Sequence, residues 1–419
     1  MTLQIKQRIE QIRRGEVPEG YKKTKVGIVP DEWNEGCLGK YLQEYKELSN
    51  DIENYPVYSS SRQGLIPQSQ YYDNREAVET NLGYKIVPNG YVTYRHMSDD
   101  DIFHFNVNKI GSEVLVSSEY PVFTSTKKGD LGYLIPMLNG TARFRYFCRT
   151  QKMGGTRTRL YYKNLCTYKT AFAPLVEQQK IAEILSMQDK LIALKEKLIE
   201  EKKRQKKAMM QQLLTGKKRL PGFSGEWKKQ KMSDILCERK EENKDQSLRI
   251  CSVAVNSGVV DQREHLGKSM AASDTSNYNV VHYGDIVYTK SPTGAFPYGI
   301  VKQSQLTENV AVSPLYGVYE PTSYEIGYLL NEYFMYPNNA NGYLLPIINK
   351  GAKNTINISN ATFITPSLYL PTNFEEIKKL VQIFKVANKE IEILRKDLDQ
   401  EKQKKKALMQ LLLTGIVRV

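Results

Sequence analysis

The chain has 419 residues, with 60 Lys or Arg against 46 Asp or Glu, so its formal net charge is +14 at pH 7. This length allows two or three domains, and the basic balance favours a polyanionic partner, DNA or RNA, over a membrane surface. No run of about 18 apolar residues occurs and the N-terminus lacks the apolar core of a signal peptide, so neither membrane insertion nor secretion is expected and the cytoplasm is the predicted compartment.

The N-terminal part of the chain is predicted to be a short helix followed by a mixed domain. The helix occupies residues 1–15 and ends at Gly15, and the domain occupies residues 16–174. Apolar and aromatic residues alternate as in β-strands over residues 86–94 and 114–123, whereas residues 132–138 have the character of a helix. A mixed α and β fold is therefore expected.

The stretch from Leu131 to Val176 contains no Asp or Glu, and its basic side chains alternate with aromatic ones. Arg on a Gly-rich loop can approach phosphates closely, and its planar fork can read guanine in the major groove. A solvated basic face is the alternative interpretation. The basic residues that we predict to contact DNA here are Arg143, Arg145, Arg149, Lys152, Arg157, Arg159 and Lys163, together with Arg62 and Gln63 earlier in the chain.

Residues 175–216 are predicted to form one long central helix. Neither Pro nor Gly interrupts the stretch after Glu177, which is rich in Leu, Lys, Glu, Gln and Ala, and it stops at Thr215-Gly216, where Gly tolerates a left-handed cap.

The second domain, residues 217–372, repeats the framework of the first. At an offset of 194, Trp33 matches Trp227 and Tyr94 matches Tyr288. The matches are residues of turns and packed strands, while most other side chains differ. We therefore expect one scaffold that presents two different surfaces.

The second domain has weaker basic stretches that we predict to contact a different DNA sequence. One is the predicted loop after Tyr288 and the other is the segment NKGAKNT, at residues 349–355. Asn can read adenine as Arg reads guanine. The predicted DNA contacts are Lys290, Thr293, Lys350, Lys353 and Asn354.

Residues 373–419 repeat the central helix at an offset of 199, so that Ile192 falls on Ile391 and Gly216 on Gly415. Apolar residues recur at steps of three and four, as in a coiled-coil seam. The helices either belong to separate cores or pack on each other as an antiparallel coiled coil, which we favour. The predicted fold is thus α+β: two similar recognition domains joined by two long helices, with an internal pseudo-two-fold repeat.

Motifs for catalysis and metal binding are absent from the sequence. No Walker A loop, Ser or Cys elbow, Asn-Pro-Pro-aromatic tetrapeptide or C-x-x-C pair is present, and the four His have no metal-ligand spacing. Solvent exposure is the simplest interpretation of His96 and His104, which flank Asp99–Asp101. That acidic run could bind a cation but is more typical of a hydrated turn.

This layout resembles the specificity (S) subunit of type I restriction-modification enzymes. The resemblance covers nearly the whole chain and is most specific over residues 174–185 and 213–227. Pro174 has no counterpart at the start of the second helix, where Asn373 stands instead. The resemblance implies a subunit that is not a catalyst, in which each recognition domain reads one half of a split DNA target and the paired helices set the gap.

The partners implied by the resemblance are double-stranded DNA, two modification (M) subunits and, in some complexes, restriction (R) subunits. No cofactor is expected in this chain: S-adenosylmethionine belongs to the modification subunit, and ATP with Mg²⁺ to the restriction subunit. Domains that dock on one DNA face imply half-sites roughly 10 bp apart. The alternatives are a scaffold that binds RNA or DNA nonspecifically, a bifunctional enzyme, and a coiled-coil protein whose basic patches bind only protein.

Overall fold

The computed structural model describes residues 3–71, 83–152, 155–216, 218–266, 274–350 and 356–419. The chain forms two compact units. Unit 1 comprises Met1–Lys197 with Lys396–Val419, and unit 2 comprises Leu198–Arg395. Each of the two long helices therefore contributes one part to each unit.

Unit 1 contains mainly short strands and small helices ahead of the first long helix. The helices are α1 (Leu3–Arg13), α2 (Gln68–Tyr71), α3 (Leu131–Gly140), α4 (Ala142–Thr150), α5 (Tyr162–Leu165) and the start of α6 (Leu175–Leu213), with a 3-10 turn at Leu38–Lys40. The strands are β1 (Tyr21–Thr24), β2 (Gly27–Pro30), β3 (Asn34–Cys37), β4 (Leu42–Tyr45), β5 (Leu48–Ser49), β6 (Tyr58–Ser61), β7 (Gly64–Pro67), β8 (Tyr84–Val87), β9 (Val92–Thr93), β10 (Met97–Ser98), β11 (Asn106–Val107), β12 (Val114–Ser117), β13 (Val122–Ser125), β14 (Thr158–Arg159) and β15 (Lys169–Phe172).

The core of unit 1 is built on an antiparallel four-stranded sheet in the order β4, β13, β9, β11. Aromatic side chains from this sheet and the adjoining helices fill the interior, among them Tyr94, Phe105, Phe123 and Phe144, all almost fully buried. The β-strands and the helix predicted from the alternating pattern are confirmed.

Unit 2 follows the same plan. Its helices are the end of α6, α7 (Met232–Ile235), α8 (Gln262–Leu266), α9 (Tyr324–Phe334), α10 (Pro337–Leu344), α11 (Asn360–Phe363) and the start of α12 (Phe374–Leu412), with a 3-10 turn at Leu345–Ile347. Its strands are β16 (Lys228–Lys231), β17 (Leu236–Glu238), β18 (Ile250–Ala254), β19 (Gly258–Asp261), β20 (Asn279–Val281), β21 (Ile286–Thr289), β22 (Ile300–Gln303), β23 (Val310–Val312), β24 (Gly317–Pro321), β25 (Asn349–Lys350), β26 (Ile356–Asn357) and β27 (Ser367–Leu370).

The main sheet of unit 2 matches that of unit 1 strand for strand. Its order is β17, β24, β21, β22, again antiparallel throughout. The strand before this sheet pairs with the last strand of the unit in both cases, β3 with β15 and β16 with β27. The prediction that both domains share one fold is confirmed.

The long helices α6 and α12 run antiparallel where they meet within each unit. In unit 1, Asp189 pairs with Lys405 and Lys195 with Asp397; in unit 2, Lys202 pairs with Glu390 at 2.6 Å and Lys206 donates to Asn388. As the residue number rises on one helix it falls on the other, which defines the antiparallel direction and confirms the predicted helix pairing.

None of the described helices combines the length and apolarity needed to cross a bilayer.

Both long helices end at the predicted glycines. Gly216 has φ of +67° and Gly415 has φ of +73°, and each donates its N–H to a carbonyl of the last helical turn at 3.2 Å. A side chain is disfavoured at such φ, so Gly permits the tight cap at low cost.

Candidate nucleic-acid interface

A cleft of about 540 Å³ opens on the surface of unit 1. One wall is the turn between β6 and β7, which carries Arg62 and Gln63. The opposite wall comes from the segment that includes Arg95, Asp99 and His104. The cleft therefore places two predicted DNA contacts beside an arginine that we had not predicted.

Two predicted arginines, distant in sequence, meet at this cleft through the acidic run. Arg62 pairs with Asp100 at 2.5 Å, and Nε of Arg157 donates to Asp99 at 2.7 Å. Hydrogen bonding by Arg62 lowers the pKa of the Asp100 carboxyl below its ordinary value. All four side chains remain substantially exposed, so these pairs orient the guanidinium groups more than they stabilise the fold.

A short ladder holds Arg157 and Arg159 in place. β10 pairs with β14, so that Met97 lies opposite Arg159 and Ser98 opposite Thr158. The Thr158 hydroxyl donates to Asp101, whose φ of +63° marks a left-handed turn. The acidic run is thus a structured turn bonded to its basic neighbours. The described residues contain no cluster of three or more His, Cys, Asp or Glu side chains suited to a metal ion.

The expectation that His96 is exposed was wrong. Its ring is almost fully buried and stacks on Tyr161 with the ring centroids 5.4 Å apart. Burial lowers the pKa of His96; Glu119, 3.7 Å away, opposes this shift, while Arg159 and other nearby cations add to it. His104 is half-buried, and burial lowers its pKa as well. The acidic run beside these two histidines therefore gave no indication in the sequence that their rings are buried.

The arginines of α4 lie on a different part of unit 1. Arg143 donates to the backbone carbonyl of Val26, beside β2, so the structure does not bring it to the cleft. The other predicted cations of this region are exposed, and none pairs with a described carboxylate; they are Arg145, Arg149, Lys152 and Lys163.

The predicted contacts of unit 2 are dispersed. Lys290 follows β21 and is half-buried, and burial lowers its pKa. Thr293 is exposed in a turn closed by paired backbone hydrogen bonds to Phe296. The backbone of Lys350 lies in β25, and both Lys353 and Asn354 fall outside the described residues.

The outer faces of the long helices carry apolar side chains at repeated positions. In unit 1, Met187 and Leu194 of α6 are 54% and 65% exposed; in unit 2, Val386 and Ile393 of α12 are 63% and 55% exposed. Each pair is separated by seven residues and therefore lies on one helix face. The two pairs also correspond at the offset of 199 found in the sequence. We call these four residues the helix strip.

Sequence reasoning missed two parts of this surface. Arg95 directly follows the framework residue Tyr94, which was the available signal for a side chain near the sheet edge. The role of Asp99 and Asp100 as partners of arginine had no local signal, because Arg62 and Arg157 approach them only in the folded chain.

The family comparison agrees with the sequence resemblance. Residues 39–204 match the model of the type I restriction modification DNA specificity domain, a span that includes the cleft, β10 and β14. Over this span the sequence is similar to that family, and the similarity bears out the resemblance predicted from the motifs.

Relatives of the specificity domain support this assignment. A putative type I restriction enzyme specificity subunit of Methanocaldococcus jannaschii is 26% identical over 214 residues, covering 47% of this chain and 49% of that protein. The match thus spans about half the length of that curated relative.

Two solved structures share the fold over nearly the full length. The type I restriction-modification S subunit from M. genitalium has a TM-score of 0.53 at 11% identity, covering 91% of this chain and 96% of the other. A chain from a structure on complex assembly and conformational transition of the type I R-M system has a TM-score of 0.53 at 12% identity, covering 93% and 99%. The predicted fold class is confirmed.

Proposed function

We propose that the whole chain is the DNA sequence-specificity subunit of a type I restriction-modification complex. Unit 1 reads one half of a split target, through the cleft and the β10–β14 ladder, and unit 2 reads the other half. The chain itself performs no catalysis and acts in the cytoplasm, where its double-stranded DNA substrate lies.

The observation that carries this proposal is one scaffold with unlike polar side chains at equivalent places. The turn between β6 and β7 presents Arg62 and Gln63, and the turn between β18 and β19 presents Asn256 and Ser257 at an offset of 194. Arg pairs well with guanine, and Asn with adenine. A repeated framework with exchanged recognition groups suits a target whose two halves differ in sequence.

The helix strip supports docking of two copies of one partner. Apolar groups exposed at equivalent positions of a repeated sequence offer the same surface twice, and such surfaces mark protein interfaces more often than single exposed residues do. We assign this surface to two modification subunits. These partners supply S-adenosylmethionine chemistry, and restriction subunits, where present, supply ATP and Mg²⁺.

The decisive experiment is to co-express the chain with the modification subunit encoded beside it and to map N6-methyladenine across a naive genome by single-molecule sequencing. Methylation of one split motif, with two short specific blocks and a constant gap, is the expected result. Arg62→Ala should relax only one block and Asn256→Ala only the other. A soluble complex that methylates no split motif would refute the proposal in favour of nonspecific nucleic-acid binding.

The docking surface is tested separately. Leu194→Glu and Ile393→Glu each place a charge in the strip and should each remove one modification subunit from the complex, and the double variant should remove both. Ser186→Glu, an exposed position on another face of α6, is the matched control. Sedimentation velocity reads the mass directly, and an unchanged mass in the double variant would exclude the strip as the docking surface.

A further inference from the structure

A second cavity of about 660 Å³ lies within unit 2. It is bounded by α9, β22, the turn between β18 and β19, and the parts of α6 and α12 that belong to this unit. Five basic residues and two acidic residues line it, and we call it the lysine cavity. The basic residues are Lys203, Lys206, Lys207, Lys302 and Arg395, and the acidic ones are Glu332 and Glu392.

The inner wall of the lysine cavity holds charges that are withdrawn from solvent. Lys302 is 4% exposed, Lys206 is 9% exposed and Glu332 is 1% exposed. Glu332 accepts a salt bridge from Lys206 at 2.8 Å and a hydrogen bond from Asn388 at 2.9 Å. Glu332 is therefore already engaged by one ammonium group.

Lys302 remains as an uncompensated buried cation. Within the described part of the chain it makes no salt bridge, and Glu332 attracts it only at longer range. Burial, opposed by the charge of Glu332 and reinforced by that of Lys206, lowers the pKa of Lys302 to about 8. The amine is thus mostly protonated at neutral pH, and a buried charge without a partner is costly unless an anion approaches it.

The shared fold does not require this arrangement. In unit 1 the position of Glu332 is occupied by Met137, at an offset of 195. Lys302 lies opposite Val287, and the equivalent strand position in unit 1 is Asn106, whose amide is satisfied by Ser60 and Ser61 at 2.8 Å. Lys302 and Glu332 therefore have no charged counterparts at the matching positions of unit 1.

We propose that the lysine cavity binds an anion of the phosphate class, with Lys302 and Lys206 on its inner wall and the more exposed Lys203, Lys207 and Arg395 nearer its mouth. Its volume lies in the range of small-molecule sites, and ammonium groups are common ligands of phosphate. The anion provides the missing counter-charge for Lys302. The turn that carries Asn256 and Ser257 also lines this cavity, so the phosphate site lies beside the proposed DNA-reading surface of unit 2 and rests on that proposal where the phosphate comes from DNA.

Phosphate groups can reach this cavity from two sources, a free polyphosphate or a DNA backbone. The first test uses inorganic pyrophosphate and the full-length chain, by isothermal titration calorimetry in a phosphate-free buffer at pH 8. The wild type should bind saturably, because the anion supplies the counter-charge that Lys302 lacks.

Lys302→Met removes the charge while keeping an unbranched apolar chain, and it should weaken binding by at least about tenfold. Lys378→Met, an exposed change on α12 away from the cavity, is the control and should bind as the wild type does. Absence of saturation by the wild type below about 1 mM, or binding by Lys302→Met that equals the wild type, would overturn the proposal.

Titration of duplex DNA separates the two sources. If a backbone phosphate occupies the cavity, pyrophosphate competes with DNA and Lys302→Met lowers the salt slope of DNA binding by about 0.9. If a free polyphosphate is the ligand, Lys302→Met leaves that slope unchanged while pyrophosphate binding is lost. A urea midpoint of unit 2 at or above that of the wild type shows that Lys302→Met is folded, so that its loss of binding reports on the site.

Discussion

The pair formed by Asp99 and Arg157 offers the sharpest test of how unit 1 reads DNA. Nε of Arg157 is held at 2.7 Å from Asp99, and both side chains are more than half exposed. Asp99→Asn keeps the shape of the turn but removes the charge that orients the guanidinium and repels phosphates. Arg157→Ala removes the reading group itself.

The expected magnitudes follow from these positions. An exposed ion pair contributes only about 0–1 kcal/mol to folding, so neither substitution should unfold unit 1. A carboxylate roughly 7 Å from a phosphate in water repels it by about 0.6 kcal/mol, so Asp99→Asn should tighten nonspecific DNA binding about threefold. Arg157→Ala should lower affinity for the cognate half-site by about 1–3 kcal/mol if the side chain contacts a base.

Fluorescence anisotropy with cognate and scrambled duplexes, measured over a range of salt concentrations, distinguishes the roles. A base contact lowers the cognate-to-scrambled affinity ratio, whereas a phosphate contact weakens both duplexes and reduces the salt slope by about 0.9. Arg14→Ala, at an exposed ion pair of α1, is the matched control. The reasoning is refuted if Asp99→Asn fails to tighten nonspecific binding while Arg157→Ala leaves affinity, ratio and slope unchanged.

Three further predictions concern stability. The pKa of His96 is lowered in the folded state, so the unfolded state binds more protons and unit 1 should lose stability as pH falls below about 6.5. His96→Gln should flatten that pH dependence. The assay is urea unfolding followed by the fluorescence of Trp33 in a Trp227→Phe background. Arg418→Ala removes a guanidinium that hydrogen-bonds a buried carboxylate of α6 at 2.7 Å, and in the same assay the urea midpoint of unit 1 should fall. Lys302→Met should raise the urea midpoint of unit 2 at pH 7. This gain should shrink as pH rises from about 8 towards 10.5, because the amine of the wild type loses its proton at lower pH in the native state than in the unfolded state. A gain that stays constant with pH would contradict the lowered pKa.

Much of the architecture followed from local patterns. The long helices were predictable because uninterrupted helix formers with heptad spacing, closed by Gly216 and Gly415, leave few other conformations. The shared fold was predictable because framework residues such as Trp33 and Trp227 recur at a constant offset. Both signals depend on neighbours along the chain or on exact repetition, and both are read without coordinates.

The sites were decided by contacts between distant residues. Arg62 and Arg157 bind adjacent carboxylates, Asp100 and Asp99, only in the folded chain. Arg143 instead donates to the backbone of Val26. The basic stretch was enough to predict the class of partner, because net charge acts at long range. Which of its residues converge on one cleft depends instead on strand register.

The lysine cavity shows the same contrast between what local sequence indicates and what contacts in the folded chain decide. In the sequence, Lys302 and Glu332 are single charges in a strand and a helix, with nothing to separate them from solvated residues. Their burial follows from packing of α9 on β22, together with the part of α6 that carries Lys206. Composition and periodicity determine which helices and strands form and what kind of partner the protein attracts. The desolvation of a particular charge is a property of the assembled core, so it appears only in the tertiary structure.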